Sequence, residues 1–112
     1  MARRISWVKA ALRDFQAFPE TVREQMTTAL RLAAHGEKAD KAKPMKGLGT
    51  GVFEIALSYR GNAYRTVYAV QMGEDVWVVH AFQKKLTQGI KTLKREIDLI
   101  RERLKRLQEM LK

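Results

Sequence analysis

Basic and aromatic side chains recur on two stretches of the sequence that both have the composition of β-strands. Residues 64–68 read Tyr-Arg-Thr-Val-Tyr, and residues 80–85 read His-Ala-Phe-Gln-Lys-Lys. Because side chains alternate along a strand, His80, Phe82 and Lys84 are predicted to lie on one face. A guanidinium or an ammonium on such a face is the kind of group that binds and neutralises a phosphate. The pattern therefore predicts a cationic site on a sheet.

Arg65 stands within an otherwise apolar strand, where the burial of a guanidinium is unfavourable unless a partner compensates its charge. Glu54, on the neighbouring predicted strand, is the expected partner. A purely structural ion pair is one interpretation of these two residues, and a catalytic role is the other. One arginine can also serve both ends, held by the carboxylate while its remaining donors face a phosphate.

His80 titrates near neutral pH when unperturbed, which suits proton transfer, and its alternative is a structural histidine in the core. Lys84 and Lys85 are cations for RNA or, alternatively, strand-end residues that discourage edge pairing. Tyr68 and Phe82 are core residues or rings on which bases stack. Each signal is weak alone, and the prediction rests on their combination.

Several other chemistries are excluded or disfavoured by the composition. The sequence has no cysteine, so it forms neither a disulfide nor a thiolate metal site. His35 and His80 are too few for a zinc site without several carboxylates, and we expect no metal and no cofactor. The glycines at 47, 49 and 51 precede a strand instead of opening a helix, so they do not form the usual phosphate-binding loop.

The net charge indicates the kind of partner. Twenty-two Lys and Arg against twelve Asp and Glu give +10 on 112 residues. Such a surface favours polyanions such as nucleic acid, the ribosome, an acidic protein or an anionic membrane. No run approaches the roughly 20 apolar residues of a membrane span. Lys9 and Arg13 interrupt the basic N-terminus before an apolar stretch forms, so we expect a cytoplasmic protein without a membrane partner.

The elements that must position the candidate site follow from hydrophobic periodicity. Residues 4–8 alternate as a short strand, and residues 9–18 have a helical pattern that stops at Pro19. A second helix is predicted from there to Gly36, a position where helices commonly need a left-handed residue. Residues 37–51 lack periodicity and are predicted to form a loop.

Three strands are predicted over residues 53–60, 64–72 and 76–82. A Gly-Asn pair at 61–62 supplies the first tight turn, and residues 73–75 supply the second. These strands form an antiparallel meander. With strands and helices segregated in the sequence, we predict an α+β fold and a single domain over residues 1–112.

The C-terminal segment has the most regular pattern in the chain. Its apolar residues recur at alternating intervals of three and four with charged residues between them, which predicts an amphipathic helix of about five or six turns. The apolar stripe either packs on the sheet or forms the seam of a homodimer. Its members are Ile90, Leu93, Ile97, Ile100, Leu104, Leu107 and Leu111.

Taken together, these stretches resemble a known family. Residues 43–48 (Lys-Pro-Met-Lys-Gly-Leu) and 52–55 (Val-Phe-Glu-Ile), with the two stretches described first, look like the phage-derived HigB-like branch of the RelE/ParE toxin superfamily. The resemblance covers nearly the whole chain. This branch usually begins its last helix with Thr-Pro-Lys, whereas residues 92–94 read Thr-Leu-Lys here. We expect the missing proline to weaken the helix start and to leave the chemistry unchanged.

The resemblance implies a RelE-like fold, a helix-turn-helix antitoxin as partner, and metal-independent cleavage of mRNA, usually on the ribosome. It implies that Arg65 holds the scissile phosphate and that Lys84 is a second basic catalytic residue. RelE's paired lysines on the preceding strand are replaced approximately by Glu54 and Ala56. Proton transfer must therefore involve Glu54 or His80.

The chemistry needs no metal. A base, His80 or Glu54, takes the proton of an RNA 2′-hydroxyl as that oxygen attacks the phosphorus. Arg65 and Lys84, with Lys46 or Lys85 as further cations, offset the developing charge. Two alternatives stay open: a ParE-like protein that poisons DNA gyrase, and a non-catalytic module of phage origin that binds RNA or a protein.

Overall fold

The computed structural model describes residues 2–85 and 93–112, with Lys85 described by its backbone alone. In that part of the chain, five strands form one sheet in the order β1-β5-β4-β3-β2, and three helices pack on it. This confirms the predicted α+β class. The elements are β1 (Ile5–Trp7), α1 (Lys9–Gln16), α2 (Glu20–Ala34), β2 (Ala42–Pro44), β3 (Val52–Tyr59), β4 (Asn62–Met72), β5 (Asp75–Lys85) and α3 (Lys94–Met110).

The predicted meander of β3, β4 and β5 is antiparallel throughout. Its first turn lies one residue earlier than predicted, because Tyr59 pairs with Asn62 and leaves Arg60 and Gly61 as the central residues. Both have positive φ, 49° and 80°. Two central residues with positive φ define a type I′ turn, whose twist matches that of the flanking strands. Glycine satisfies this requirement easily, and Arg60 adopts it at some conformational expense.

Both outer strands of the sheet join elements that are distant in sequence. β1 pairs with β5 in parallel, with Ile5 opposite Val76. β2 pairs with β3 antiparallel, with Ala42 opposite Ile55. The prediction of an uninterrupted loop over residues 37–51 is therefore wrong at Ala42–Pro44, where three residues add an edge strand. Pro44 at the end of an edge strand is compatible with the missing amide hydrogen.

The two N-terminal helices agree with their prediction and form a helical hairpin. α1 ends at Gln16, and α2 begins directly after Pro19, whose fixed φ suits a helix start. Gly36 follows α2 with φ of 83°, the left-handed conformation expected at that place. Both helices cover one face of the sheet, and Phe15 and Met26 are among their buried side chains.

α3 covers part of the opposite face. Ile100, Leu104 and Leu107 are buried in a cluster with sheet residues such as Val67 and Ala69. The apolar stripe therefore packs on the sheet, as one of the two interpretations predicted. Ile90, the first member of the predicted stripe, lies outside the described residues. Among those that are described, no helix combines the length and apolar character needed to cross a bilayer.

Candidate active site

Strand pairing brings the predicted catalytic residues onto the face of the sheet that α3 partly covers. Residues directly opposite one another on antiparallel strands point to the same side. Three adjacent rows, each written in the order β3, β4, β5, contain all four candidates: Glu54–Val67–His80, Ala56–Arg65–Phe82 and Ser58–Ala63–Lys84.

Arg65 and Glu54 form the ion pair that the sequence predicts. The Arg65 Nη1 donates to Glu54 Oε1 at 2.6 Å, and the two side chains are 10% and 14% exposed. Because both side chains are largely buried, this short charge-assisted hydrogen bond holds the Arg65 guanidinium in one orientation.

Lys84 belongs to the same cluster. Its pKa is lowered, chiefly by loss of hydration and also by the positive charge of Arg65, while the Glu54 carboxylate opposes the shift. An ammonium next to a guanidinium gives up its proton more readily than an ordinary lysine does. We call Arg65, Glu54 and Lys84 the basic cluster.

Arg65 and Lys84 lie in the two rows beyond the start of α3, whereas Glu54 shares the row of His80. α3 begins over the row of His80, where Glu96 contacts the histidine, and Leu111 after its end lies beside Gly73 in the turn between β4 and β5. Ala56 and Ser58, in the rows of Arg65 and Lys84, are exposed. Arg65 and Lys84 themselves are only 8% and 5% exposed, so the accessible side of the cluster is the one formed by Ala56 and Ser58 on β3.

His80 lies in the row next to Arg65, where two residues of α3 hold its ring. Its Nε2 is 2.7 Å from Glu96 Oε1, and its Nδ1 is 2.8 Å from Arg103 Nη1. Because an arginine can only donate, Nδ1 accepts, and the ring proton is on Nε2, which donates to Glu96. Arg103 also donates to the carbonyl of Val79 at 3.1 Å. The imidazole is therefore neutral.

Burial is the main reason that the pKa of His80 is lowered, and the Arg103 charge adds to it, while Glu96 and Asp14 oppose it. The residue is 2% exposed, and both ring nitrogens are occupied. In this arrangement His80 ties β5 to α3, and neither nitrogen is available to a substrate. His80 thus lies in the row next to Arg65, but its ring nitrogens bind residues of α3 and not the basic cluster.

Because of His80, we expect the free energy of unfolding to decrease as the pH is lowered below about 6.5. A histidine whose pKa is lower in the folded than in the unfolded protein takes up its proton first in the unfolded chain. This loss is absent above the unfolded value of about 6.5 and grows as pH falls below it, with a slope of up to about 1.4 kcal/mol per pH unit. Urea denaturation from pH 8 to pH 5 measures it.

The matched control for this experiment is His80→Gln, because a glutamine amide can donate to Glu96 and accept from Arg103 without titrating. The variant should have a flatter stability curve below pH 6.5 than the wild-type protein. Identical curves would show that His80 does not carry the dependence.

Two of the four predicted RNA-binding residues lie away from the basic cluster. Tyr68 is on the opposite face, 1% exposed and stacked on Phe53. Burial raises the pKa of Tyr68 to about 12. It is a core residue of the α1–α2 side, and the structure does not support its assignment to RNA. Lys46 is exposed in the loop before β3, at the opposite end of that strand from Ser58.

Phe82 and Lys85 are the other two predicted RNA-binding residues. Phe82 is opposite Arg65 on the site face and stacks on His80 with ring centroids 5.2 Å apart. It is largely buried and forms the wall between the basic cluster and the histidine. Lys85 ends β5 opposite Asn62, and its side chain lies outside the described part of the chain.

Sequence reasoning missed Glu96 and Arg103. It treated them as solvent-facing charges of an amphipathic helix, although with Ile100 they are spaced at i, i+4 and i+7 on the buried face. Charged residues on an apolar stripe are a signal that a buried polar partner exists, here His80.

The fold is that of RelE toxins. The chain superposes on a substituted form of the E. coli toxin RelE in the free state with a TM-score of 0.62 at 23% identity, covering 95% of this chain and 98% of that one. The isolated E. coli RelE toxin gives 0.58 at 22%, with 90% and 98% covered. The RelBE2 toxin–antitoxin complex from Mycobacterium tuberculosis gives 0.50 at 18%, with 75% and 93% covered. The RelE-like fold predicted from the resemblance is confirmed.

The family is established by sequence. Residues 13–105 match the model of the phage-derived Gp49-like proteins (DUF891), and this chain belongs to that family. Among curated protein sequences, none is significantly similar to it. The expected phage-derived family and the RelE-like fold are thereby confirmed, whereas membership of the RelE/ParE toxin superfamily and of its HigB-like branch stays a prediction.

Proposed function

We propose that this protein is the toxin of a type II toxin–antitoxin system and that it cleaves mRNA without a metal ion. Membership of the Gp49-like family and the RelE-like fold support the toxin assignment. The observation that carries the nuclease assignment is the basic cluster, in which Arg65, Lys84 and Glu54 meet on the sheet face that α3 covers only in part.

The proposed reaction is an internal transfer at phosphorus. The RNA 2′-hydroxyl loses its proton to a base and attacks the adjacent phosphorus, while the bond to the 5′ oxygen breaks. The departing oxygen takes a proton from an acid, so the products are a 2′,3′-cyclic phosphate and a 5′-hydroxyl. Arg65 binds the non-bridging oxygens, whose negative charge grows in the transition state. Lys84, with its lowered pKa, supplies the proton to the leaving oxygen.

Glu54 is the better candidate for the base. Its carboxylate is at the basic cluster, within hydrogen-bonding distance of Arg65, whereas both nitrogens of His80 are occupied by residues of α3. Arg65, as the ion-pair partner of Glu54, would hold this carboxylate in position beside the scissile phosphate. His80 would act through the position of α3, and its direct participation would require Arg103 or Glu96 to move.

The partners follow from the same assignment. We propose a helix-turn-helix antitoxin encoded with this chain, mRNA on the ribosome as substrate, and action in the cytoplasm. A solved relative, RelBE2 from M. tuberculosis, is a toxin–antitoxin complex, which supports a protein partner. The net charge of +10 is suited to association with ribosomal and messenger RNA.

Induced expression followed by mapping of transcript ends tests the function. We expect growth arrest and new 5′-hydroxyl ends within coding regions. With purified protein and ribosomes, cleavage should persist with a chelator, and a substrate with a 2′-deoxy residue at the cut site should be inert because it lacks the attacking hydroxyl.

Three other results are informative. Intact transcripts with chromosomal breaks would indicate a ParE-like gyrase poison. Harmless overexpression would indicate the non-catalytic binding module. Loss of cleavage in the chelator, restored by a divalent cation after ribosome integrity has been verified, would contradict the metal-independent mechanism.

A further inference from the structure

A second basic surface lies at the other end of β3 from Ser58, on the side of α3 that faces β3. It is a cleft of about 460 Å³ between the glycine-rich loop that precedes β3 and the exposed side of α3. Gly47 and Gly49 line the loop side, Val52 lines the floor, and Arg101 and Lys105 line the helix side. Both glycines have positive φ and open space where a Cβ would be, so the loop backbone is close to the surface of the cleft. We call this the loop–helix cleft.

The charge of the loop–helix cleft is positive. Within the part of the chain that the structure describes, its lining contains Arg101 and Lys105 and no carboxylate. Asp98 contacts Arg101 from outside the cleft at 3.4 Å, with both side chains more than half exposed. An exposed pair of this kind is weak, so a multivalent anion can replace the aspartate.

The two cations are spaced as a polyanion requires. Arg101 and Lys105 are four residues apart on α3, hence on one side of the helix and about 6 Å apart along its axis. That interval is comparable with the separation of successive phosphates on a single strand. The remaining lining combines the polar residues Thr50, Gln71 and Gln108 with apolar side chains, which are Leu48, Val52, Met72 and Leu104.

The cleft is aligned with the basic cluster. Val52, Glu54 and Ala56 alternate onto the same face of β3, and Ala56 is directly opposite Arg65. From Val52 to Ala56 is four residues of strand, about 13 Å. A few nucleotides of extended RNA cover this distance, so one strand can place a phosphate at Arg65 and its neighbours in the loop–helix cleft.

We propose that the loop–helix cleft is a phosphate-binding subsite for the single-stranded RNA next to the scissile bond. It rests on the proposed nuclease function and extends it: Arg65 and Lys84 hold the reacting phosphate, and Arg101 and Lys105 hold phosphates further along the strand. The subsite recognises the backbone, so it contributes affinity and register without sequence preference.

Binding of a single-stranded 12-nucleotide RNA with 2′-O-methyl groups, which cannot be cleaved, tests the proposal with the full chain. Fluorescence anisotropy across salt concentrations gives the affinity and its salt dependence. An R101Q/K105Q variant should bind about 10-fold more weakly, and its slope of log K against log salt should shrink by about 1.4, since each single-strand phosphate contact accounts for about 0.7.

The matched control is R4Q/R31Q, which removes the same charge from exposed positions before β1 and on α2. It should leave the slope nearly unchanged. Equal losses in the two variants would overturn the proposal, because the effect would then be one of net charge. Polyglutamate serves as a second ligand in the same assay. If R101Q/K105Q weakens its binding as much as it weakens RNA binding, the proposal is overturned in favour of an acidic protein partner.

The outcome is separable from that of the nuclease test. A wild-type protein that binds this RNA with the expected slope change but cleaves no RNA would contradict the proposed function and leave the loop–helix cleft as an RNA-binding surface. Cleavage without any difference between the two variants would contradict the cleft alone. Both variants change exposed residues, and matching melting curves verify that they are folded.

Discussion

An Arg65→Ala variant is expected to lose growth arrest on expression and to cleave mRNA about 10²–10³-fold more slowly, the usual effect of removing one preorganised donor from a site of developing negative charge. The guanidinium is fixed by its 2.6 Å bond to Glu54, so it needs no reorganisation when the phosphate arrives. Removing it takes away both the proposed phosphate contact and the ion-pair partner that positions Glu54. The measurement is single-turnover cleavage by the purified variant on programmed ribosomes.

The folded state of the Arg65→Ala variant has to be verified, because Arg65 is largely buried. Its loss leaves the Glu54 carboxylate poorly hydrated and without this ion-pair partner. Lys84 still supplies a nearby positive charge. Arg65→Lys is the second variant: it keeps the charge but not the planar fork, so we expect at least about 10-fold slower cleavage with the fold retained. Arg31→Ala, an exposed position on α2, is the matched control. Wild-type toxicity in a folded Arg65→Ala protein would remove Arg65 from the mechanism.

Much of the fold could be predicted because local patterns determine it. The alternation over residues 53–60 and the break at Pro19 are written in neighbouring residues, and the structure follows them. The apolar stripe of α3 was sufficient to predict the helix, and packing on the sheet was one of the two interpretations that it left open. Each of these features depends on interactions within a few residues of one another, or on one apolar face that needs a cover.

Long-range pairing was not predictable in the same way. The three residues of β2 have too little pattern to be distinguished from the surrounding loop, and they become a strand because β3 offers an unpaired edge. The parallel pairing of β1 with β5 likewise depends on how α1 and α2 return the chain across the sheet. The turn at Arg60 and Gly61 was misplaced by one residue because its position is set by strand register, which a Gly-Asn dipeptide does not determine.

In the candidate site, too, some features could be predicted from the sequence, and others depend on long-range contacts. The pairing of Arg65 with Glu54 followed from one argument about a buried charge, and the structure has it. Tyr68 was grouped with the RNA-binding residues because strand composition does not say which face a ring occupies when both faces are covered. His80 was considered as a proton carrier because its partners, Glu96 and Arg103, come from α3 and are 16 and 23 residues away.

A Lys84→Ala variant is expected to reduce cleavage by about 10²–10⁴-fold, the typical contribution of a positioned general acid. Loss of hydration and the neighbouring Arg65 lower the pKa of Lys84, so its ammonium is a stronger proton donor than that of an ordinary lysine. The same shift predicts the pH profile: the rate should fall as pH rises through the lowered pKa, because the deprotonated amine has no proton for the leaving oxygen. Single-turnover rates from pH 6 to pH 10 measure this.

Lys84→Arg separates charge from proton transfer. The guanidinium keeps the positive charge and does not lose its proton in this range, so the variant should be slower than wild type but lose the alkaline decline. A substrate with a 5′-thio leaving group, which needs no protonation, should restore much of the rate of Lys84→Ala if Lys84 is the acid. The contradicting result is that Lys84→Ala slows cleavage of the thio substrate by the same factor as it slows cleavage of normal RNA. Lys84 then acts through its charge alone, and the proton comes from another group at the basic cluster or from the ribosome.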